Sequence, residues 1–184
     1  MRKHTQNGFT LIELMIAIGL AALLMSMAVP AMNMFVSNAR QTSAINDFVA
    51  SIHMARSTAI TTNSRVTVCP TSNGAECQAV SWNSGWIVFT DADSDQAVDA
   101  DETIISASDG SEDLAIQSGE FGDFLMYRPN GRAMNATIAA NSGQFTVCDG
   151  RGASHAKVLI IDLSGRPRLS ETMMDGSAPG CGGG

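Results

Sequence analysis

From Leu11 to Val36 the chain is an almost uninterrupted apolar run in which Glu13 is the one charge. About 20 apolar residues span a bilayer as a helix, so this run dictates a membrane-length N-terminal helix. A carboxylate inside such a helix costs roughly 2.5–3.5 kcal/mol on insertion scales and normally has a function and a partner. A short basic leader with Arg2 and Lys3 precedes the run, which begins at Gly8-Phe9-Thr10-Leu11-Ile12-Glu13. An ordinary secretory signal, with a small-x-small site at Ser26-Met27-Ala28, accounts for the leader and the run. A plain anchor accounts for the uncharged stretch from Leu14 to Val36. Neither explains a Glu at the start of the run with Gly-Phe just ahead of it.

The apolar run continues as one long helix to about Thr62. Pro30 lies inside it, where the missing backbone donor favours a kink. Beyond Asn38 the pattern turns amphipathic. Ile45, Phe48, Val49, Ile52, Ala55 and Ala59 fall on one face, while Arg40, Asp47 and Arg56 lie elsewhere. His53 sits near the stripe and is expected to be a half-buried packing residue. One half of this helix suits lipid or a filament core; the other suits packing on a sheet.

After Asn63 short strand patterns alternate with turn signals. Strands are expected at Arg65–Cys69, Gly85–Thr90, Thr103–Ser106, Leu114–Gln117, Phe124–Arg128, Gly143–Cys148, Lys157–Leu163 and Arg166–Leu169. Turns are marked by Asn73-Gly74, Asp109-Gly110, Pro129-Asn130-Gly131, Asn141-Ser142-Gly143 and Ser164-Gly165. A helix followed by antiparallel strands is an α+β layout. The 184 residues allow one anchor and one head domain of ordinary size.

The net charge is −7, a poor prior for nucleic-acid binding by the chain as a whole. Its distribution is uneven. Between Val66 and Tyr127 there are twelve acidic residues and no Lys or Arg. Between Arg128 and Arg168 there are six basic residues (128, 132, 151, 157, 166, 168) against Asp149 and Asp162. Four cysteines, at 69, 77, 148 and 181, would lie outside the cytoplasm beyond a membrane anchor, where disulfides persist. Three pairings are open to them, and spacing alone does not select one. The expected set is Cys69–Cys77, closing a short loop, and Cys148–Cys181, stapling a Gly-rich tail. The spacing lacks C-x₂₋₄-C and no His lies near the first pair, which argues against zinc.

Two constellations carry chemistry. Asp91, Asp93, Asp95, Asp99 and Glu102 match positions 1, 3, 5, 9 and 12 of an EF-hand loop, with apolar Val98 at position 8. Position 6 is Gln96, where such loops need Gly, and the flanks read as strands rather than helices. The segment is therefore either a solvated acidic hairpin loop or a calcium site. The second constellation is Gly165-Arg166-Pro167-Arg168. Two Arg one residue apart on a strand share a face, and paired guanidinium groups suit phosphate oxygens. The competing role is an edge strand whose Arg pair is solvated or bridges to the acidic loop. Arg128, Arg132, Arg151 and Lys157 would widen a basic patch if the fold gathered them. With a single Tyr and no aromatic interleaving, base stacking on single strands is disfavoured. No catalytic set is apparent: His4 lies in the leader, and Ser154-His155 sits in a small-residue turn without a triad motif.

The Gly8-Phe9-Thr10-Leu11-Ile12-Glu13 start closely resembles that of type IV pilins and pseudopilins. The segments Trp82-x-x-Gly85-Trp86-Ile87-Val88-Phe89-x-Asp91, Asp99-x-Asp101-Glu102-x-Ile104-Ile105, Tyr127-x-Pro129-x-Gly131, Gly143-x-Phe145-x-Val147-Cys148 and Ile161-x-x-Ser164-Gly165-Arg166 resemble the GspH/FimT-type minor pilins and pseudopilins. This resemblance covers nearly the whole chain. It implies a type IV pilin fold, with a long N-terminal helix whose second half packs on an antiparallel β-rich head. It implies a leader, 1–8, removed by a prepilin peptidase that cuts after Gly8 and methylates Phe9. It implies a membrane or filament-core segment, 9–36, in which Glu13 pairs with the N-terminal amine of a neighbouring subunit. The remainder, 37–184, is then a periplasmic head on a single-pass inner-membrane anchor. The implied role is non-enzymatic, with no required cofactor: a minor pilin at or near the tip of a type IV pilus, priming assembly among other pilin subunits. The G-R-x-R segment resembles the DNA-contacting segment of FimT-type pilins, which implies duplex-DNA binding by Arg166 and Arg168. The alternative is a minor pseudopilin of type II secretion that binds no DNA.

Overall fold

A computed structural model describes residues 9–111, 113–135 and 142–182. The leader, with Gly8, therefore lies outside the described residues. A single helix, α1, covers Leu11–Thr62 and is helical through Pro30. The chain divides at Arg40–Gln41 into two compact units.

In the first unit the large apolar side chains from Phe9 to Phe35 are more than half exposed. An apolar surface of that extent is stable only against lipid or other protein. This is the one helix among the described residues that is long and apolar enough to cross a membrane.

Among the described residues, the second unit holds the rest of α1 and nine strands. They are β1 (Val66–Pro70), β2 (Gly85–Thr90), β3 (Ile104–Asp109), β4 (Leu114–Gln117), β5 (Leu125–Tyr127), β6 (Ala133–Met134), β7 (Gly143–Asp149), β8 (Lys157–Ile161) and β9 (Pro167–Ser170). They form two antiparallel sheets, ordered β3-β2-β1-β5-β6 and β4-β7-β8-β9. The helix face read from the sequence is the buried one: Ile45, Phe48, Ile52, Ala55 and Ala59 are in the core, with Val49 packed against it. Phe48 meets Trp82, Trp86 and Phe145 edge-on at centroid distances of 5.6, 4.9 and 5.0 Å, so one helical side chain touches both sheets. Edge-to-face contacts of this kind add to the area term. Trp86 donates its indole N–H to the Ser51 hydroxyl at 2.9 Å, which lets both polar groups be buried inside the apolar contact.

The first sheet is buried on both faces. Val66 and Val68 of β1 face the helix, while Cys69 packs with Ile87, Phe89, Phe124, Met126 and Met134 on the other side. Val98, from the loop joining β2 to β3, packs against this second cluster. That loop is therefore packed on the head through its one large apolar residue.

The structure departs from the sequence expectations at four places. His53 is exposed rather than half-buried, because it follows Ile52 by about 100° of helical rotation, away from the sheets. A ninth strand, β6, pairs with β5 across the Pro129-Asn130-Gly131 turn. Strand β8 ends at Ile161, because Asp162 opens the next turn, accepting from the Gly165 N–H. Strand β3 runs on to Asp109 to complete its pairing with Gly85.

Candidate functional site

Three places on the chain concentrate candidate functional groups, and the first is the start of α1. The Thr10 N–H and hydroxyl both donate to Glu13 Oε2 at 3.3 Å, and the Glu13 N–H donates back to the Thr10 hydroxyl at 3.3 Å. This is a reciprocal capping box, which satisfies donors that the first helical turn leaves open. The sequence reading missed it, although Thr-x-x-Glu ahead of an apolar run is its signature. Phe9 is 89 % exposed immediately before it.

The second place is β9, an outer strand of its sheet, which begins at Pro167 rather than at the expected Arg166, so that Arg166 lies in the turn just ahead of it. Arg166 and Arg168 are both exposed, and Arg168 pairs through the backbone with Ile160. Neither guanidinium forms an ion pair among the described residues, so neither bridges to the acidic loop. The turn before them is braced by hydrogen bonds. Asp162 Oδ1 accepts from the Ser164 N–H and hydroxyl and from the Arg166 N–H. The Ser164 hydroxyl, ahead of the Arg166 backbone and charge, holds the Asp162 carboxyl below the usual carboxylate range. The buried Tyr127 hydroxyl donates to the Gly165 carbonyl at 2.9 Å. Arg56 joins this turn to the β5–β6 turn, donating from Nε to Gly131 O at 3.1 Å and from Nη2 to Ser164 O at 3.4 Å. The exposed Arg132 follows Gly131, so the two turns place Arg56, Arg132 and Arg166 in one neighbourhood. The other basic residues do not join it. Arg151 is engaged by Asp149, Lys157 pairs with Glu171 at 2.9 Å, and Arg128 is turned to the Met134 sulfur.

The third place is the β2–β3 loop. The structure brings carboxylate oxygens of Asp91, Asp93 and Asp95 within 4.8 Å of one another. Asp91 is wholly buried at the end of β2, with Oδ2 accepting from the Thr67 hydroxyl at 2.6 Å. Burial pushes its carboxyl above the usual range; Thr67 and, more weakly, the Ser94 backbone oppose this, and the charges of Asp95 and Asp93 add to it. Asp99 and Glu102 stand outside this group of three. Glu102 accepts from the Ala92 N–H at 2.9 Å and the Asp99 N–H at 3.3 Å, so its carboxylate braces the loop backbone. Burial and the Asp91 and Asp93 charges raise the Glu102 carboxyl, and Asp95 does most to raise Asp99. Gln96 takes the left-handed turn conformation that Gly would otherwise supply, at φ +64°. Arg65 and Arg128 line a cleft with Asp93, Ser94 and Gln96.

Both disulfides are formed among the described residues, Cys69–Cys77 and Cys148–Cys181. The second ties down the tail, which is also held by the Gln117 amide donating to Gly182 O at 2.8 Å and by the Met174 N–H donating to Gln144 at 2.8 Å.

Residues 44–165 match the family described as type II transport protein GspH. Residues 3–29 match the prokaryotic N-terminal methylation motif. No curated protein sequence matches the chain significantly. Among solved structures, the type IV minor pilin FimU of Pseudomonas aeruginosa is similar in two crystal forms. One has 19 % identity and a TM-score of 0.56, covering 79 % of this chain and 96 % of that one. The other has 19 % identity and a TM-score of 0.53, covering 75 % and 96 %.

Proposed function

The chain belongs to the GspH family of minor pilins and pseudopilins, and on that premise we propose that it is a minor pilin placed at or near the tip of a type IV pilus, priming assembly and binding duplex DNA. Family membership itself makes it a non-catalytic filament subunit with a membrane-spanning N-terminal helix, a prepilin-peptidase site and a periplasmic head. Cleavage after Gly8 exposes the amine of Phe9, and Glu13 of one subunit pairs with that amine on the next. In lipid each charge is costly alone, so pairing them favours docking and fixes register.

The single observation that supports DNA binding is the Arg166–Arg168 pair, both exposed, Arg166 just ahead of an edge strand and Arg168 on it, with no ion pair to either guanidinium among the described residues and with a braced turn before them. Guanidinium groups so placed suit the phosphate backbone, with Arg132 able to extend the contact. The second reading, a minor pseudopilin of a type II secretion system without DNA affinity, is favoured by the description of the matched family.

Duplex-DNA binding by the full chain in detergent, measured across a salt series for wild type and for Arg166→Gln/Arg168→Gln, separates the two. A DNA-binding pilin shows affinity that falls with salt, and each phosphate contact removed lowers the log–log slope by about 0.9. Absence of binding at low salt assigns the chain to secretion or priming, with the Arg pair a solvated edge.

A further inference from the structure

We propose that the turn after β2 is a calcium site, with Asp91, Asp93 and Asp95 as its carboxylate ligands and the Ser94 hydroxyl as a fourth protein oxygen. This inference is independent of the DNA reading, since it rests on a different loop and a different charge.

Asp91 carries the argument. Its side chain is wholly buried and its Oδ2 is satisfied by Thr67, while its Oδ1 completes no hydrogen bond, the Ser94 backbone acting on the carboxylate more weakly than Thr67 does. A buried carboxylate oxygen left without a donor is among the costlier arrangements in a folded chain, and native structures rarely keep one without a reason. One carboxylate oxygen from each of Asp91, Asp93 and Asp95 lies within 4.8 Å of the other two, so the carboxylate that carries the unsatisfied atom belongs to a concentration of negative charge. The Ser94 hydroxyl, between them in sequence, is a second buried polar atom with no partner. Two orphaned oxygens and two further carboxylates thus come from five consecutive residues.

A protein cation does not fill this role. Arg65 lines the adjoining cleft, but its Nη1 donates to the Ala92 carbonyl at 3.4 Å, and it makes no ion pair with the three carboxylates among the described residues. The donor set is all oxygen, without His or Cys, which suits a hard cation. An irregular turn with several carboxylates suits calcium, which accepts six to eight oxygens in loose geometry, better than magnesium, which demands a near-ideal octahedron. Four protein oxygens leave the remaining positions to water, so binding is expected in the range of extracellular modules, about 0.1–1 mM. Bound calcium would join Asp91, tied to β1 through Thr67, to the exposed Asp93 and Asp95. The loop that covers the second core cluster would then be fixed to the sheet.

The test is calcium chloride titrated into the full chain in detergent, followed by calorimetry and by thermal unfolding. One saturable site per chain is expected, with a rise in Tm of about 3–6 °C near saturation and no comparable effect of magnesium. Asp93→Asn/Asp95→Asn changes only exposed side chains. It should abolish the binding heat and the Tm rise, with a calcium-free Tm no lower than that of wild type, because it removes two of three mutually repelling charges. Ser94→Ala should weaken binding severalfold. No saturable binding up to about 10 mM, ten times the weak end of the expected range, overturns the proposal. So does binding that survives in the double variant unchanged.

Discussion

Thr10 and Glu13 cap one another at the first turn of α1, through Glu13 Oε2 and the Thr10 hydroxyl. Glu13 therefore has a local role in its own helix besides the one proposed between subunits. The two roles separate by chemistry. Gln serves in a capping box nearly as well as Glu but carries no charge. Glu13→Gln should keep the helix start, membrane insertion and leader cleavage, yet fail to enter filaments, as should Glu13→Ala. Immunoblots of membrane and sheared-filament fractions check this. Normal incorporation of Glu13→Gln would leave capping as the residue's whole function.

Gly8 and Phe9 define the proposed cut. Gly8→Val should leave a precursor that is inserted in the membrane at full length. Mass spectrometry of the wild-type protein should find a methylated Phe9 as the first residue. A mature-sized Gly8→Val product would point to an ordinary signal peptide instead.

Gly165 is the pivot of the arginine turn. Its φ is +76°, and an added Cβ would lie 2.1 Å from the Gly131 carbonyl oxygen. Gly165→Ala should cost at least about 2 kcal/mol of stability from backbone strain and crowding together. It should also lower any DNA affinity without changing charge, since Arg166 and Arg168 follow directly. Gly119→Ala, where nothing lies within 4 Å, is the control and should stay within about 0.5 kcal/mol. Urea unfolding and the same salt series read both effects.

The long helix, its buried face and eight strands were legible because each has a strong period or a turn signal beside it. Phe48 and Ile52 announce themselves by helical spacing. β6 did not, because two residues, Ala133 and Met134, carry no period; only its turn was visible. The division into two sheets was hidden as well. β1 lies between β2 and β5, and β4 leaves β3 to pair with β7, which is a matter of long-range packing rather than local pattern. At the acidic loop the sequence grouped five carboxylates by spacing. The fold gathers three, because Glu102 is drawn to the backbone N–H groups of Ala92 and Asp99. At the arginine edge the sequence showed the pair but not Arg56, whose reach to Gly131 and Ser164 depends on where the helix is docked.

The two disulfides should differ in worth. Cys148–Cys181 spans 33 residues and Cys69–Cys77 spans 8. Loop-closure entropy alone makes these worth about 4 and about 2.5 kcal/mol. Cys148→Ala/Cys181→Ala should therefore lose more stability and should also release the tail. Hydrogen exchange at the Met174 amide, held by Gln144, should accelerate in that variant and not in Cys69→Ala/Cys77→Ala.

Asp149 and Arg151 give the head an acid-sensitive contact. The Arg151 guanidinium hydrogen-bonds the Asp149 carboxylate, whose side chain is 8 % exposed, and holds its pKa below the ordinary 3.8. With the folded value depressed, the unfolded chain binds more protons across that window. The contact's stabilisation is complete above about pH 4, the unfolded value, and is lost as pH falls through the folded one. Arg151→Gln should lower stability by a constant amount at neutral pH, and the gap to wild type should close below about pH 4. Lys157→Gln breaks a pair whose acidic side chain is 85 % exposed and should change stability little at any pH. Urea midpoints measured from pH 2.5 to 7 for the three proteins test this; a gap for Arg151→Gln that persists at the lowest pH would mean that Arg151 stabilises the head through Gln41 rather than through Asp149.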